Sequence, residues 1–327
     1  MRFSFLTRLE AEGGPRRPLR MRPGARTPIV LAIFGPTASG KSAVAEALAD
    51  RIPAELVSAD AMQAYSGLPI LTNQPERPTR LVGMWPLEHE GSVGEYQQLA
   101  HAAIDETLAD GRTPIVVGGT GLYLRAALAD LELPPAPSPG AREHWERVYD
   151  RLGPEKAHDA LAGRDPAAAG VVHPNDRRRV VRALELSDAG ASLRPQRDRL
   201  WSEESRHPAL IFGLEVPRDV LAERVATRTR EMFERGVQEE VATALARPIS
   251  ETARKTMGLA EIAALPREAA IEAVTRRTLQ YAAYQRKWLR RLPGVVSLAG
   301  DRTPGAVADE ILEVARSRQR LPARRAG

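Results

Sequence analysis

The residues with the clearest capacity for chemistry form a glycine-rich loop, G-P-T-A-S-G-K-S, at Gly35–Ser42. An apolar run of strand length precedes it and a helical pattern follows, the context in which G-x-x-x-x-G-K-[ST] binds phosphate. Glycines let the backbone curl so that successive N–H groups and a helix N-terminus point at one phosphate group. The Lys41 ammonium adds a positive charge, and the Ser42 hydroxyl is a ligand for Mg²⁺. The predicted residues of this diphosphate or triphosphate site are Gly35, Pro36, Thr37, Ala38, Ser39, Gly40, Lys41 and Ser42.

A carboxylate follows the second predicted strand, in S-A-D-A-M-Q-A-Y at Ser58–Tyr65. The ligand crevice of an open parallel sheet lies at the carboxyl ends of its strands, so Asp60 is expected to face the phosphate loop. A carboxylate there serves as general base, metal ligand or hydrogen-bond acceptor. An aspartate at this place is equally typical of a cap for the segment that follows it. The motif alone leaves both interpretations open.

A second glycine-rich turn, G-G-T-G-L-Y at Gly118–Tyr123, follows another strand pattern. Its glycines predict a close approach of the backbone to a ligand, with the Thr120 hydroxyl presented to the crevice. The competing interpretation is a tight turn in which Thr120 caps the next helix.

Two helical patterns contain clusters of basic residues. In H-P-N-D-R-R-R-V-V-R-A-L-E, at His173–Glu185, capping residues at Asn175 or Asp176 precede a helix with Arg178 and Arg182 on one face. Such arginines are typical of a solvated face, but beside a phosphate loop they also fit a nucleic-acid backbone.

The second basic helix spans Thr275–Arg291, where Tyr281, Tyr284 and Trp288 recur at helical spacing among basic residues. Aromatic residues at this spacing are more often part of a core than a stacking platform. The basic residues nevertheless favour an acidic partner.

The elements that position these motifs alternate between strand and helix. Strands are predicted at Ile29–Phe34, Glu55–Ser58, Pro114–Val117, Pro208–Val216 and Val295–Leu298, with a weaker one at Leu81–Trp85; helices are predicted at Ala43–Leu48, Gly94–Asp110, Arg218–Arg235, Arg267–Arg291 and Val307–Arg316. This alternation indicates an α/β fold with a parallel sheet core of the P-loop NTPase type. A proline-rich stretch at Leu133–Pro139 opens a segment without strand signals, which predicts a helical insertion.

The predicted domains follow from these boundaries. Residues 1–27 form a disordered basic extension, residues 28–133 and 207–300 the α/β core, residues 134–206 the helical insertion, and residues 301–327 a C-terminal helix and basic tail.

The composition of the chain limits the class of protein. A net charge of +5 over 327 residues is modest unless it is clustered, and 43% hydrophobic content excludes a wholly disordered chain. The absence of cysteine excludes thiolate zinc sites and cysteine nucleophiles, and it fits a reducing cytoplasm. No apolar stretch is long enough for a membrane span.

These motifs, in this order, resemble the tRNA dimethylallyltransferases, the bacterial isopentenyl-tRNA transferase family. The resemblance covers about residues 29–300 and includes the motifs above together with R-V-A-T-R-T-R-E-M-F-E-R-G-V-Q-E-E-V and the helix containing Gln280-Tyr281, Gln285 and Trp288. It implies transfer of a dimethylallyl group from dimethylallyl diphosphate to N6 of adenine 37, in tRNAs reading codons that begin with U. It also implies a Mg²⁺ cofactor, with Ser42 as metal ligand. We expect a cytoplasmic monomer that binds the anticodon stem-loop of tRNA.

The resemblance implies roles for individual residues. Asp60 would be the catalytic carboxylate, Thr120 would touch the target nucleotide or the bridging oxygen, and Arg228 would neutralise the leaving diphosphate, with Arg224 as second choice. The segments implied to contact tRNA comprise Asp60, Ala61, Met62, Gln63, Thr120, Arg142, Arg178, Arg179, Val180, Val181 and Arg182.

The chain departs from the family pattern in two places near the site. Ala61 stands where the family usually has serine, and the segment Gly67–Gln74 reads G-L-P-I-L-T-N-Q, without the family's aspartate and lysine. These departures bear on donor selectivity and tRNA contacts more than on the reaction.

Two rival functions use the same phosphate loop. A small-molecule or nucleoside kinase would transfer phosphate from ATP, and a nucleotide-gated RNA-binding protein would need no catalytic Asp60. The kinase leaves the two basic helices without a role, and the RNA-binding protein leaves Asp60 without one.

Overall fold

Five parallel strands form one sheet in a computed structural model that describes residues 29–135, 138, 140–194 and 199–320. The strands are β1 Val30–Phe34, β2 Ala54–Ser58, β3 Thr113–Gly118, β4 Ala209–Glu215 and β5 Val295–Ala299, and their order in the sheet is β2-β3-β1-β4-β5. Strand β1 lies at the centre, with Leu31 opposite both Ile115 and Leu210. The predicted α/β fold with a parallel core is therefore confirmed.

The helices connect and cover these strands. Their bounds are α1 Lys41–Ala49, α2 Val93–Ala109, α3 Gly121–Leu128, α4 Ala141–Leu152, α5 Pro154–Arg164, α6 Pro166–Ala169, α7 Arg177–Asp188, α8 Arg218–Glu234, α9 Val237–Leu245, α10 Glu251–Arg254, α11 Leu259–Ala264, α12 Arg267–Leu289 and α13 Pro304–Arg320. No helix in the described ranges is long and apolar enough to cross a membrane.

The continuous apolar run of β1 reflects burial on both faces of the sheet. Leu31 and Ile33 pack with α1 and α13 on one face, while Val30, Ala32 and Phe34 pack with α2 and α3 on the other. Because α13 contributes Val307, Ile311 and Leu312 to the first of these clusters, the C-terminal helix is part of the sheet's core. The helix predicted near the end of the chain is therefore present as α13, Pro304–Arg320. The predicted extension at 1–27 and the end of the tail at 321–327 lie outside the described residues.

Helices α4–α7 pack on one another around a separate hydrophobic cluster that includes Trp145, Tyr149, Leu161, Val180 and Leu184. These helices lie between α3 and β4 in the chain, within the segment predicted as the insertion. On the sheet side, the buried Arg125 of α3 donates hydrogen bonds to the carbonyls of Arg199, Leu200 and Glu204. Arg125 therefore fixes the chain where it returns from the insertion to the core.

The weak strand expected at Leu81–Trp85 does not form. Leu81 and Gly83 both have positive φ angles (66° and 60°), which are incompatible with extended backbone. Isolated bridges instead join Arg80 to Val57 and Trp85 to Tyr65. The apolar side chains that suggested a strand pack in a folded loop against the cluster around α2 and α3.

Candidate active site

Segments from all five strands meet at the carboxyl edge of the sheet. The phosphate loop follows β1, Asp60 follows β2, Thr120 follows β3, α8 with Arg224 and Arg228 follows β4, and Gly300 follows β5. In an open α/β sheet this edge, next to the point where the strand order reverses, is where ligands bind. A cavity of about 500 Å³ lies there and is lined by the phosphate loop, Asp60 and both arginines.

The phosphate loop curls back on itself before α1 begins at Lys41. Ala38 and Gly40 have positive φ angles (62° and 87°), and the Ser39 N–H donates to the carbonyl of Pro36. A Cβ atom on Gly35 would lie 2.8 Å from the Ser39 hydroxyl and 3.1 Å from the Leu214 carbonyl, so a larger residue would displace these neighbours. This conformation places the start of α1 at the cavity, where the N–H groups of Gly40, Lys41 and Ser42 donate to no described residue and are available to a phosphate group.

The buried Ser39 hydroxyl supports the assignment of this loop as a ligand site. It has no hydrogen-bond partner among the described residues, although it is fully buried. An unpaired buried hydroxyl costs free energy unless a ligand satisfies it. Because Ser39 also lines the cavity, a bound diphosphate is the natural partner.

Two positive charges converge on the phosphate loop. The Lys41 ammonium donates to the Pro36 carbonyl over 2.8 Å, and the Arg228 guanidinium donates to the Thr37 hydroxyl over 2.5 Å. Burial lowers the pKa of Lys41 to about 8, against the opposing effect of the Asp60 charge, and the charge of Arg228 lowers it further. Burial likewise lowers the pKa of Arg228. Because these two cations face the phosphate loop, an anionic diphosphate bound there would be stabilised by both.

The lowered pKa of Lys41 predicts a pH dependence of donor binding. Below about pH 8 the ammonium is protonated and attracts a diphosphate; above that pH the free protein loses the charge. We expect the dissociation constant for dimethylallyl diphosphate to be flat near pH 7 and to rise by up to about tenfold per pH unit above the pKa. Titration calorimetry across this range measures it. In the Lys41→Arg variant, which keeps its charge, the rise should disappear; a persistent rise would assign it to another group.

Asp60 presents one carboxylate oxygen to the cavity. Its Oδ1 accepts a hydrogen bond from the Met62 N–H over 3.0 Å, which closes a local turn, while no described residue donates to Oδ2. The capping interpretation therefore accounts for one oxygen only. The other oxygen is available to a ligand, and Asp60 lines the same cavity as Lys41 and Arg228.

Thr120 supports the loop that carries Asp60. It precedes α3, but its hydroxyl makes no capping bond to that helix. The hydroxyl instead accepts a hydrogen bond from the Ala61 N–H over 3.1 Å and lies 3.5 Å from the Tyr281 hydroxyl. Thr120 thus links the Asp60 loop to α12, and its predicted contact with substrate stays a prediction.

The glycines around Thr120 have a packing role that the sequence pattern did not reveal. A side chain on Gly118 would collide with the backbone of Ala59, one on Gly119 with Gln285, and one on Gly121 with Trp288. These glycines permit close packing of β3 on the Asp60 segment and on α12. Gly118 also lines the cavity, so the expected close approach of this turn to a ligand stays a prediction.

Gln285 joins the two glycine-rich turns, a role that the sequence motif did not reveal. Its side-chain oxygen accepts from the Thr37 N–H over 2.7 Å, and its nitrogen donates to the Gly119 carbonyl over 2.8 Å. The side chain is buried, and so is its bond to Gly119, while the bond from Thr37 is partly buried. Gln285 therefore sets the distance between the phosphate loop and the turn that supports the Asp60 loop.

The wall of the cavity opposite α1 includes the unusual segment Gly67–Gln74. The carboxylate of Glu240 in α9 accepts hydrogen bonds from the backbone N–H groups of Ile70 and Leu71 at 2.7 and 2.8 Å. Gln63, a predicted tRNA contact, donates to the Asn73 carbonyl over 2.8 Å. Leu71, Thr72 and Asn73 line the cavity beside Met62. The backbone of this segment is therefore held by the side chains of Glu240 and Gln63.

The predicted RNA contacts on the insertion divide into exposed and structural residues. Arg178 and Arg179 are exposed on α7, which Asp176 caps through the Arg179 N–H. Val180 and Val181 are buried in the cluster of α4–α7, so their side chains support the helix that carries the exposed arginines, and the contact of this segment with tRNA stays a prediction.

Arg142 and Arg182 both bind the buried carboxylate of Glu185, each over 2.9 Å. Arg182 also donates to the Pro135 carbonyl. These two arginines therefore hold α4, α7 and the connection from the core together, in addition to any contact with RNA.

The residues around Ser42 fit the predicted Mg²⁺ site. The Ser42 hydroxyl lines the cavity and has no hydrogen bond to a described residue. No cluster of three or more acidic or histidine side chains that could hold a metal exists in the described ranges. A single protein hydroxyl fits a Mg²⁺ ion whose other ligands are diphosphate oxygens and water, the arrangement that Mg²⁺ prefers.

Comparison with known proteins assigns the chain to a family. The family model described as IPP transferase matches residues 63–292, and the model described as isopentenyl transferase matches residues 28–79. The chain is 39% identical to the tRNA dimethylallyltransferase of Streptomyces coelicolor over 292 residues, 84% of this chain and 93% of that protein. It is 40% identical to the tRNA dimethylallyltransferase of Myxococcus xanthus over 290 residues, 84% of this chain and 94% of the other.

Solved structures agree with this assignment. The tRNA isopentenylpyrophosphate transferase of Bacillus halodurans matches with a TM-score of 0.65 and 30% identity, over 90% of this chain and 97% of that one. A eukaryotic dimethylallyltransferase acting on tRNA has the same fold, with a TM-score of 0.70 at 23% identity, over 92% and 82% of the two chains. The phosphate loop, the Asp60 turn and the helix with Gln285 all lie within the matched regions, and the chain belongs to the IPP transferase family.

Proposed function

We propose that this chain is a tRNA prenyltransferase. It transfers the dimethylallyl group of dimethylallyl diphosphate to N6 of adenine 37, in tRNAs that read codons beginning with U, and releases diphosphate. The names of the relatives support the reaction class. The observation that carries the proposal is that an available carboxylate oxygen of Asp60 and the cationic phosphate loop line one cavity.

The chemistry requires activation of the donor, because an exocyclic adenine amine is a poor nucleophile. The bond between the donor's allylic carbon and its diphosphate oxygen breaks, and the negative charge passes to the diphosphate. The loop's N–H groups, Lys41 and Arg228 are arranged in advance to stabilise that charge. A bound Mg²⁺, held by Ser42, would add Lewis-acid stabilisation of the same charge.

Asp60 completes the reaction at the amine. As the new carbon–nitrogen bond forms at N6, the amine becomes acidic and its proton passes to the available oxygen of Asp60. The hydrogen bond from the Met62 N–H holds the carboxylate in one orientation. Thr120 and Tyr281 hold the surrounding loop against α12.

One chain supplies the phosphate loop, Asp60 and both arginines of the cavity, so we also propose that the protein acts as a monomer. A base reaches this cavity by leaving its stack, which is the general solution for enzymes that act on a stacked nucleotide. Helices α4–α7, with Arg178 and Arg179 exposed, supply a surface for the RNA stem.

Labelled dimethylallyl diphosphate tests the function directly. Incubated with Mg²⁺, without ATP, and with an unmodified tRNA that has adenines at positions 36–38, the protein should place the label in the RNA. The label should disappear when the target adenine is replaced. If the protein is a kinase, the RNA stays unlabelled and a parallel incubation that contains ATP shows ATP consumption; that pair of results would contradict the proposal.

Substitution of Arg178 and Arg179 together by alanine tests the RNA surface. We expect weaker tRNA binding, with the slope of log affinity against log salt reduced by about 1 for each phosphate that the variant no longer binds. Filter binding across a salt series measures both quantities. Arg182 is left intact because its ion pair with Glu185 would confound the result.

The matched control removes two exposed arginines, Arg316 and Arg318, from α13 on the other face of the sheet. It carries the same change of net charge. If this variant shows as large a fall in affinity and slope as the α7 variant, binding depends on total charge and the insertion is not the specific RNA surface.

A further inference from the structure

Four aromatic rings form a row between the cavity and the return from the insertion. The ring centroids of Tyr281 and Tyr284 lie 6.3 Å apart with nearly parallel planes, those of Tyr284 and Trp288 lie 6.5 Å apart edge to face, and those of Trp288 and Trp201 lie 4.7 Å apart. We refer to these four residues as the aromatic row. The proposed reaction uses only its first member, Tyr281.

The inner end of the aromatic row lies in the reaction site. Tyr281 lines the cavity, and its hydroxyl is 3.5 Å from the Thr120 hydroxyl, which supports the Asp60 loop. The outer end lies at Trp201, beside the carbonyls that bind Arg125. The row therefore leads from the point of chemistry to the segment that returns from the insertion to the core.

Tyr284 is the exposed member of the row. Its side chain is 53% exposed, whereas Tyr281, Trp288 and Trp201 are partly buried. The ring stands on α12 between two aromatic neighbours, which limit its rotamers. A rigid, exposed aromatic ring can stack on a ligand at little cost in side-chain entropy.

Positive charge surrounds the outer part of the row. Lys287, Arg290 and Arg291 are exposed, and the Arg291 guanidinium lies 3.9 Å from the centre of the Trp201 ring. Exposed aromatic rings alternating with basic side chains are the chemistry that binds single-stranded nucleic acid, by base stacking and phosphate contact.

We propose that Tyr284 stacks on a base of the tRNA anticodon loop adjacent to the adenine that enters the cavity. The proposal rests on the proposed function, because extrusion of one base leaves its neighbour with an unstacked face. Tyr284 lies one ring away from Tyr281 in the cavity wall, so its partner is a nucleotide directly flanking the target.

The test compares Tyr284→Ala and Tyr284→Phe in the full-length protein by affinity for an anticodon stem-loop. Loss of the ring should weaken binding on the order of tenfold, whereas phenylalanine keeps the stacking face and wild-type affinity. The salt dependence and the KM for dimethylallyl diphosphate should not change, because no phosphate contact is removed. The matched control is Leu99→Ala, which truncates another exposed apolar side chain on α2.

Stem-loops lacking the base on either side of the target, one at a time, identify the stacked nucleotide. With one of them, wild type and Tyr284→Ala should bind equally weakly, because the partner of the ring is already absent. A full effect of Tyr284→Ala on both abasic stem-loops, or no effect on the intact one, overturns the proposal. So does a loss of self-association in Tyr284→Ala, which would assign the ring to a second copy of the chain.

Failure of the proposed function is a separate result. It would appear as absence of prenyl transfer by the wild-type protein, whereas the stacking proposal is decided by binding in the absence of donor.

Discussion

Replacement of Asp60 by asparagine should lower kcat for prenyl transfer by about a thousandfold, within the range for loss of a general base. Asparagine has the same shape, and its oxygen still accepts the hydrogen bond from the Met62 N–H, so the turn is retained. It does not accept the proton that leaves the adenine amine. The affinity for tRNA should stay close to that of the wild type. Single-turnover transfer of label, together with stem-loop binding, separates the two effects.

Asp60→Asn should also change the pH dependence of donor binding. The negative charge of Asp60 raises the pKa of Lys41 against the larger effect of burial. Without that charge the pKa of Lys41 falls further, and the pH at which donor affinity begins to decline moves downward. Unchanged turnover in Asp60→Asn would remove the residue from the catalytic step and leave it as the cap of its turn.

Replacement of Arg228 by alanine should lower kcat by about a hundredfold to a thousandfold, the typical cost of losing one preorganised charge-stabilising group. The guanidinium donates to the Thr37 hydroxyl inside the phosphate loop, where the leaving diphosphate gains charge. Because this charge develops in the transition state, kcat should fall more than the affinity for the intact donor. Steady-state kinetics with varied dimethylallyl diphosphate measure the division between kcat and KM.

Arg224 offers the matched control for this prediction. It lies one turn earlier on α8, lines the same cavity, and donates to the Gly300 carbonyl at its edge. Arg224→Ala removes the same charge without breaking a contact to the phosphate loop, so its effect on kcat should be much smaller. Equal effects of the two substitutions would mean that the general positive potential matters and that Arg228 has no specific position in the reaction.

The local patterns of the sequence were sufficient for the sheet and for the phosphate loop. The strand at Val30–Phe34 carries a continuous apolar run because both of its faces are covered, and the glycine spacing of Gly35–Ser42 reflects a backbone curl within eight residues. Such features depend on neighbours in the chain. The segment Leu81–Trp85 has a local pattern typical of a strand, but its apolar side chains pack in a loop that has two positive φ angles.

The sequence by itself determined the parallel α/β fold, the phosphate loop, the position of Asp60 and the ordered motifs that indicate the family. Only the tertiary structure decided what the remaining residues do: Gln285 bridges two turns, Glu185 binds Arg142 and Arg182, and Val180 and Val181 are buried. The physical reason is distance along the chain. Gln285 meets Thr37 across 248 positions, and no local periodicity records a contact between segments that only the folded sheet brings together.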